Sequence, residues 1–308
     1  MLPLPDTFWK KVFVFSFFPV LVLVVAFGML GTVEKDAAAN PLIATGTPTT
    51  LGIFQNINLQ AGSAYVLDIK NNKVLFEKDA NNVRPLASLT KLMTAFTADQ
   101  TMSPTSTITI SKEALAETGD NGLRAGEQWD LKTLLNFTLL TSSNDGAAAI
   151  AESAAAPFIS EMNTEAAFMD LSTLRFKNPT GLDITGADGK TLVDSGGWGS
   201  AKDVAGLAAA IFHADAPLVE ITRYPSYTFK SLNGIVHRVT NTDTVLGKIP
   251  GVLMSKTGYT DLAGGNLVVT FDEEIGHPIV IVVLGSTYDG RFSDMVALAS
   301  STRAYFTQ

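Results

Sequence analysis

The chain has 308 residues, 46% of them hydrophobic and 17% charged, a composition that folds around one substantial core and is not that of a disordered chain. The formal net charge of −8 argues against nucleic acid or an anionic lipid surface as the main partner. There is no cysteine, which excludes disulfides, thiol catalysis and Cys-ligated metals. The three histidines, His213, His237 and His277, stand at no metal-ligand spacing, so a zinc hydrolase is not expected.

The first predicted element is apolar. Val12 to Gly31 is a run of 20 residues without a charge. As a helix rising ~1.5 Å per residue it spans roughly 30 Å, the thickness of a bilayer's hydrocarbon core. Lys10 and Lys11 precede it, which places residues 1–11 in the cytoplasm and everything after the run outside. A retained anchor is favoured, and the Ala37-Ala38-Ala39 run leaves cleavage open. Residues 32–60, with Pro41, Gly46, Pro48 and several threonines, have linker composition. One catalytic-sized domain is expected over 61–308.

Within that domain, Tyr65–Ile69 and Val74–Phe76 flank Asn71-Asn72 and predict a β-hairpin. Ser88–Ala98 carries apolar residues at helical spacing, and Thr107–Ile110 reads as a short strand. Leu131–Leu140 and Gly146–Ala155 predict two helices. Ser200 to Asp203, ahead of Val204–Phe212, resembles a capping box with Asp in the acidic place. Val252–Met254, Gly265–Phe271 and Ile279–Leu284 are apolar, β-branched runs and predict strands, and Arg291–Phe306 predicts a closing helix. Strands therefore lie at both ends of the domain with helices between them. The expected fold is α/β, with an antiparallel sheet built from the N-terminal hairpin and the C-terminal strands.

Three short motifs occur in order. In Ser88-Leu89-Thr90-Lys91 the serine and lysine share a helix face, so the amine reaches the hydroxyl. A serine hydroxyl is a poor nucleophile until a base takes its proton. Lysine is that base only if burial or a neighbouring cation lowers its pKa. Alone, the motif is better read as a capping serine and a solvated lysine. Ser142-Ser143-Asn144 falls in a predicted turn between two helices. Ser142 would relay a proton between Lys91 and a leaving group, while Asn144 would hold Lys91 and donate to a substrate carbonyl. Alone, these are ordinary turn residues. Lys256-Thr257-Gly258 follows a predicted strand. Lys256 would supply a second cation that lowers the pKa of Lys91, and Thr257 would hydrogen-bond a carboxylate. Gly258 would let a substrate backbone come close. The competing reading is an exposed edge strand.

Together the three motifs resemble the penicillin-recognising serine acyltransferases, with their Ser-x-x-Lys, Ser-x-Asn and Lys-Thr-Gly signatures. The stretches YVLDIKNNKVLFEKDANNVRPLASLTKLMTA, GLRAGEQWDLKTLLNFTLLTSSNDGAAAIAE, NPTGLD and SKTGYTDLAGGNLVV narrow the resemblance to the D-alanyl-D-alanine carboxypeptidases among the low-molecular-mass penicillin-binding proteins. It covers about residues 61–308. It implies a β-lactamase/transpeptidase-like fold, in which helices and a helical subdomain flank the sheet. Ser88 is then the acyl-ester nucleophile and Lys91 the general base. Ser142 is the proton relay, Asn144 its support, and Lys256 and Thr257 bind substrate. The backbone N–H groups of Ser88 and Tyr259 form the oxyanion hole. Arg291 takes the place of an arginine that binds the terminal carboxylate, against an alternative salt bridge to Asp289 or Asp294. The implied substrate is a peptidoglycan stem peptide ending in D-Ala-D-Ala, with β-lactams as covalent inhibitors and no metal or cofactor. The implied location is the bacterial cell membrane, single-pass, with the catalytic domain extracytoplasmic.

This chain departs from the family pattern at Ser143, where glycine is frequent, and at Met254. It also ends at Gln308, without the C-terminal β-domain that many relatives add. The Asn178–Asp183 segment is expected to be a conformational turn with Gly181 at positive φ, without a catalytic part. No Glu-x-x-Leu-Asn segment supplies the deacylating base of a class A β-lactamase. Two readings stay open beside the carboxypeptidase: an endopeptidase of cross-linked peptidoglycan, and a non-catalytic wall-binding module on the same scaffold.

Overall fold

The computed structural model describes residues 51–55, 57–119 and 121–307. The Val12–Gly31 run, and with it the expected cytoplasmic tail and anchor, lies outside them. Among the described residues, no single helix is long and apolar enough to cross a membrane.

β1 (Ser63–Asp68) and β2 (Lys73–Lys78) form the expected hairpin. The Asp68 carboxylate accepts from the backbone N–H of Asn71 at 3.0 Å and from its side-chain amide at 2.7 Å. Asn72 takes the left-handed conformation, φ 48°, that asparagine tolerates better than most residues. Between β2 and the C-terminal strands the chain is mainly helical. It forms α1 (Thr90–Thr101), α2 (Leu131–Thr141), α3 (Asn144–Glu152), α4 (Phe158–Phe168) and α5 (Ala201–Asp215). Then come β3 (Val252–Thr260), β4 (Gly264–Asp272), β5 (Pro278–Ser286) and α6 (Gly290–Phe306).

The five strands make one antiparallel sheet in the order β3-β4-β5-β1-β2. Its centre explains why the β5 sequence is apolar without interruption. Val280, Val282 and Leu284 face the core shared with α1 and α5, while Ile279, Ile281 and Val283 face the core under α6. A strand covered on both sides has no polar face to alternate with. The expected sheet, hairpin pairing and helical middle are all present.

Among the elements outside the sequence expectations are a helix and a hairpin. α4 buries only Phe158, Met162 and Ala166, a stripe too narrow to stand out. The hairpin of Ser226–Lys230 with Val236–Thr240 buries only Phe229 and His237, against Trp129 and Phe137. The expected capping box is half formed. Ser200 Oγ accepts from the Asp203 N–H at 3.1 Å, but the Asp203 carboxylate turns to the N–H and hydroxyl of Thr173, at 2.8 and 2.7 Å.

The domain also takes in residues that composition reads as linker. Leu51–Phe54 is a short helix, Phe54 stacks on Phe76 with ring centroids 5.3 Å apart, and Leu59 is buried. Asp294 of α6 holds this segment. Its carboxylate accepts from the N–H groups of Gln60 at 3.0 Å and Ala61 at 2.7 Å, and from Ser286 Oγ at 2.7 Å. Removing it strands these donors. Asp294→Ala is expected to cost about 2–4 kcal/mol and to lower the thermal unfolding midpoint by several degrees. An unchanged midpoint would show that the segment is not part of the cooperative unit.

Candidate active site

Ser88 lies in a single 3₁₀ turn, Ala87–Leu89, that opens into α1. Ala87 has φ 49°, a left-handed conformation that costs a non-glycine residue roughly 1–2 kcal/mol. Neighbouring elements hold the turn in place. The Leu86 N–H donates to Gly197 O at 2.8 Å, and the Asn266 amide of β4 donates to Pro85 O at 3.0 Å. On the third side stands Gly258. A Cβ there would lie 3.0 Å from Leu86 O and 3.2 Å from Ser88 N. The absent side chain therefore admits the turn carrying Ser88, not only a substrate as the sequence reading supposed. It also sets the Ser88 amide beside the strand, with Tyr259 the next residue along.

Lys91, the second residue of α1, is fully buried. Its Nζ donates to Ser88 Oγ at 3.0 Å, to Asn144 Oδ1 at 2.6 Å and to Thr180 O at 2.7 Å. These three acceptors use all three ammonium hydrogens, and all three are neutral. Burial dominates the balance and brings the pKa of Lys91 down to about 7, while the Glu117 carboxylate pulls it upward.

The second motif is the joint between two helices. α2 ends at Thr141, Ser142 turns the chain at φ 60°, and Ser143 caps α3, its Oγ accepting from the Gly146 N–H at 3.0 Å. Ser143 has φ −60°, so the position needs no glycine and the departure from the family pattern leaves the turn intact. Asn144 then opens α3. Its carbonyl oxygen holds Lys91, and its amide donates to Thr118 O at 2.6 Å.

Lys256 lies inside β3, buried, and the strand runs past the motif to Thr260. The exposed-edge reading is thereby corrected. β3 is an edge strand of the sheet, but the Ser88 turn covers it at Gly258. Lys256 Nζ donates to Ser142 Oγ at 2.8 Å and to Thr257 O at 2.9 Å. Burial pushes its pKa well below the ordinary lysine value, and the charges of Lys91 and Arg291 push it further. The expected causal order therefore changes. Burial, rather than Lys256, is what lowers the pKa of Lys91, and the repulsion between the two amines weighs on Lys256.

Thr257 is buried, and its hydroxyl pairs with that of Thr242 at 2.5 Å. Tyr259 is exposed and meets Tyr288 edge-on, with centroids 5.0 Å apart. Arg291 makes neither of the ion pairs weighed for it, since Asp294 is occupied by Gln60, Ala61 and Ser286. Its guanidinium lies 4.4 Å from the Tyr288 ring centroid, and Nη1 donates to Gly258 O at 2.7 Å. It is buried directly behind the strand that carries Lys256.

The structure adds groups that motif reading passed over. Gly181 has φ 78° as expected, but its turn also packs on the Ser88 turn. A Cβ at Gly181 would stand 1.9 Å from Ala87 O. The residue before it, Thr180, supplies the third acceptor of Lys91, so the turn has a part in the site after all. Thr118, which braces Asn144, also acts through its backbone carbonyl. A carbonyl leaves no signature in a sequence. Asn266 was detectable only as an asparagine directly ahead of the apolar Leu267–Val269 run of its strand.

Residues 50–287 match the family described as D-alanyl-D-alanine carboxypeptidase, peptidase family S11. The chain is 30% identical over 201 residues to the D-alanyl-D-alanine carboxypeptidase DacB2 of Mycobacterium tuberculosis, covering 64% of this chain and 66% of that protein. It is 31% identical over 249 residues to DacA of Escherichia coli K12, covering 76% and 58%. The match thus spans about three-fifths to two-thirds of the length of these relatives. A D-alanyl-D-alanine endopeptidase of Pseudomonas aeruginosa is 27% identical over 283 residues, covering 85% and 81%. Among solved structures, penicillin-binding protein D2 of Listeria monocytogenes in its cefotaxime-bound form superposes with a TM-score of 0.68 at 27% identity, covering 80% of this chain and 98% of that one. With most of its length matched, from just ahead of the Leu51–Phe54 helix to just past β5, this chain belongs to the D-alanyl-D-alanine carboxypeptidase family.

Proposed function

We propose that the protein is a serine D-alanyl-D-alanine carboxypeptidase that trims peptidoglycan stem peptides through an acyl-enzyme on Ser88. The observation that carries this reading is a buried lysine amine, with its pKa near 7, placed 3.0 Å from the Ser88 hydroxyl. At neutral pH much of that amine is unprotonated and accepts the hydroxyl proton as Ser88 Oγ attacks the penultimate D-Ala carbonyl. The N–H groups of Ser88 and Tyr259 receive the developing oxyanion. Lys256 donates to Ser142 Oγ, which leaves the hydroxyl hydrogen of Ser142 free to pass to the leaving amine. The Thr257 hydroxyl and the charge of Arg291 behind the strand favour the terminal carboxylate, whose arrival in turn favours the protonated form of Lys256. Water then hydrolyses the ester and frees Ser88.

The name of the Pseudomonas relative supports a second reading, cleavage of D-Ala-D-Ala-type cross-links by the same chemistry. Digestion of purified cross-linked and uncross-linked muropeptides separates the two. A non-catalytic wall-binding role is disfavoured, because Ser88, Lys91, Asn144 and Lys256 are joined in hydrogen bonds that a binding module does not need.

The proposed location is the bacterial cell membrane, with Val12–Gly31 as a single-pass anchor and the domain outside. The supporting feature is the uncharged run behind Lys10 and Lys11. The full chain is expected to sediment with membranes and resist alkaline carbonate, while residues 51–308 remain soluble. Release of the full chain by carbonate would remove the anchor from the proposal.

A fluorescent penicillin is expected to add its mass to residues 51–308 and to leave Ser88→Ala unlabelled. The adduct should persist, since no deacylating glutamate is apparent in the sequence. A folded domain that takes no label, or rapid turnover of benzylpenicillin, would overturn this reading.

The acylation rate should rise with pH through about 7, because only the neutral form of Lys91 accepts the serine proton. Below that pH it should fall about tenfold per unit. Lys91→Arg stays charged throughout and should lose about 10²–10⁴ in acylation rate. A flat profile between pH 5 and 8 would assign the base elsewhere.

A further inference from the structure

We propose that Asp183 is a positioning residue for the oxyanion hole: its carboxylate fastens the end of β3 to the loop that braces the Ser88 turn, and so sets the spacing between the Ser88 and Tyr259 amides. The inference rests on the acyl-enzyme reading of Ser88.

The two amides belong to segments that meet only in the folded chain. Ser88 sits in its 3₁₀ turn and Tyr259 in β3. An oxyanion is held only where both N–H groups lie about 2.7–3.1 Å from it, so a small slip of strand against turn removes one donor. The Gly258–Tyr259 peptide is held from one side. Its carbonyl accepts from Arg291 Nη1 at 2.7 Å. A trans peptide is planar, so the Tyr259 N–H points the opposite way, away from Arg291. Beyond this point packing does little to fix the strand, since Tyr259, Asp261 and Leu262 are all exposed.

Asp183 supplies the hold that packing does not. Its Oδ1 accepts from the Thr260 hydroxyl at 2.9 Å and its Oδ2 from the Leu262 N–H at 3.0 Å. Thr260 Oγ1 accepts in turn from the Ala263 N–H at 3.2 Å. One carboxylate thus gathers the last residue of β3 and the turn that leads into β4. The loop behind it is fixed as well. Asn178 Oδ1 accepts from the Gly181 N–H at 2.7 Å, and its Nδ2 donates to Leu182 O at 3.0 Å. Leu182 O also accepts from the Gly196 N–H at 2.9 Å, written from the donor as Gly196 N to Leu182 O, and Asp183 pairs with Ser195. Thr180 O holds Lys91, and Gly181 lies against Ala87 O, where a Cβ would stand 1.9 Å away. Within the four consecutive residues from Thr180 to Asp183, the loop touches the base, the Ser88 turn and the strand end beyond Tyr259. Serine turn and strand end are therefore placed against the same short piece of backbone.

Asp183→Ala removes both hydrogen bonds. Asp183→Asn keeps them, since an amide accepts from the Leu262 N–H and donates to the Thr260 hydroxyl oxygen. With an N-acylated D-Ala-D-Ala peptide, Asp183→Ala is expected to lower kcat about tenfold, less than the ~10²–10³ lost when a donor is removed outright. KM should stay within about twofold, because the interaction is made in the transition state. Penicilloylation of Ser88 should slow by the same factor with its pH midpoint still at about 7, which separates an effect on the oxyanion from one passed through Thr180 to Lys91. A boronic acid analogue of N-acyl-D-alanine, whose adduct on Ser88 places an oxygen between the two amides, should bind about tenfold more weakly. Asp183→Asn should restore all three. Thr260→Val cuts one tie from the strand side and decides the question if Asp183→Ala does not fold. Wild-type kcat in Asp183→Ala with only a lower unfolding midpoint, or a shifted pH midpoint, overturns the inference. If wild type takes no penicillin at all, the acyl-enzyme reading falls and the oxyanion assignment with it. If wild type reacts and Asp183→Ala reacts as fast, the inference alone falls.

Discussion

The site depends on one unfavourable act, the burial of the Lys91 amine. A lysine in water keeps its proton at neutral pH and cannot serve as a base. Enclosed without solvent, it holds that proton only as well as its acceptors and nearest anion allow. The acceptors come from separate parts of the chain: Ser88 on the same helix entry, Asn144 at the start of α3, and Thr180 in the loop after α4. Each must be in register for the amine to be satisfied, so the helical region and the turn that carries Ser88 are assembled around one nitrogen.

The sheet supplies the opposite wall. β3 presses against the Ser88 turn where Gly258 has no side chain, and the backbone approach there is close enough that even a methyl group would crowd it. Arg291 binds the carbonyl of that glycine from behind and fixes the strand's position. Lys256 reaches across to Ser142, at the joint between α2 and α3. The two halves of the domain, sheet and helices, are therefore joined through the groups that would do the chemistry. Ala87, held left-handed between them, marks where the chain is strained to present its serine.

Two lysines in one dry site share a single electrostatic problem. Both lose affinity for protons through burial, and their mutual repulsion keeps them from being charged together at little cost.

Much of this was legible in the chain itself. The order and spacing of Ser88-Lys91, Ser142-Asn144 and Lys256-Gly258, the Asn71-Asn72 turn, the both-faces-apolar run of β5 and the closing helix are local patterns. Local patterns survive in a sequence because helix and strand periodicity and turn chemistry act over a few residues. What only the tertiary structure decided lies between segments far apart in sequence. It closed Gly258 on Leu86 and Ser88 across some 170 residues, turned Asp294 to Gln60 and Ala61 rather than to Arg291, and brought the Thr180 carbonyl to Lys91. Backbone carbonyls, burial and long-range charge have no residue code. They depend on which surfaces exclude water together, and that is decided only when the sheet and the helices meet.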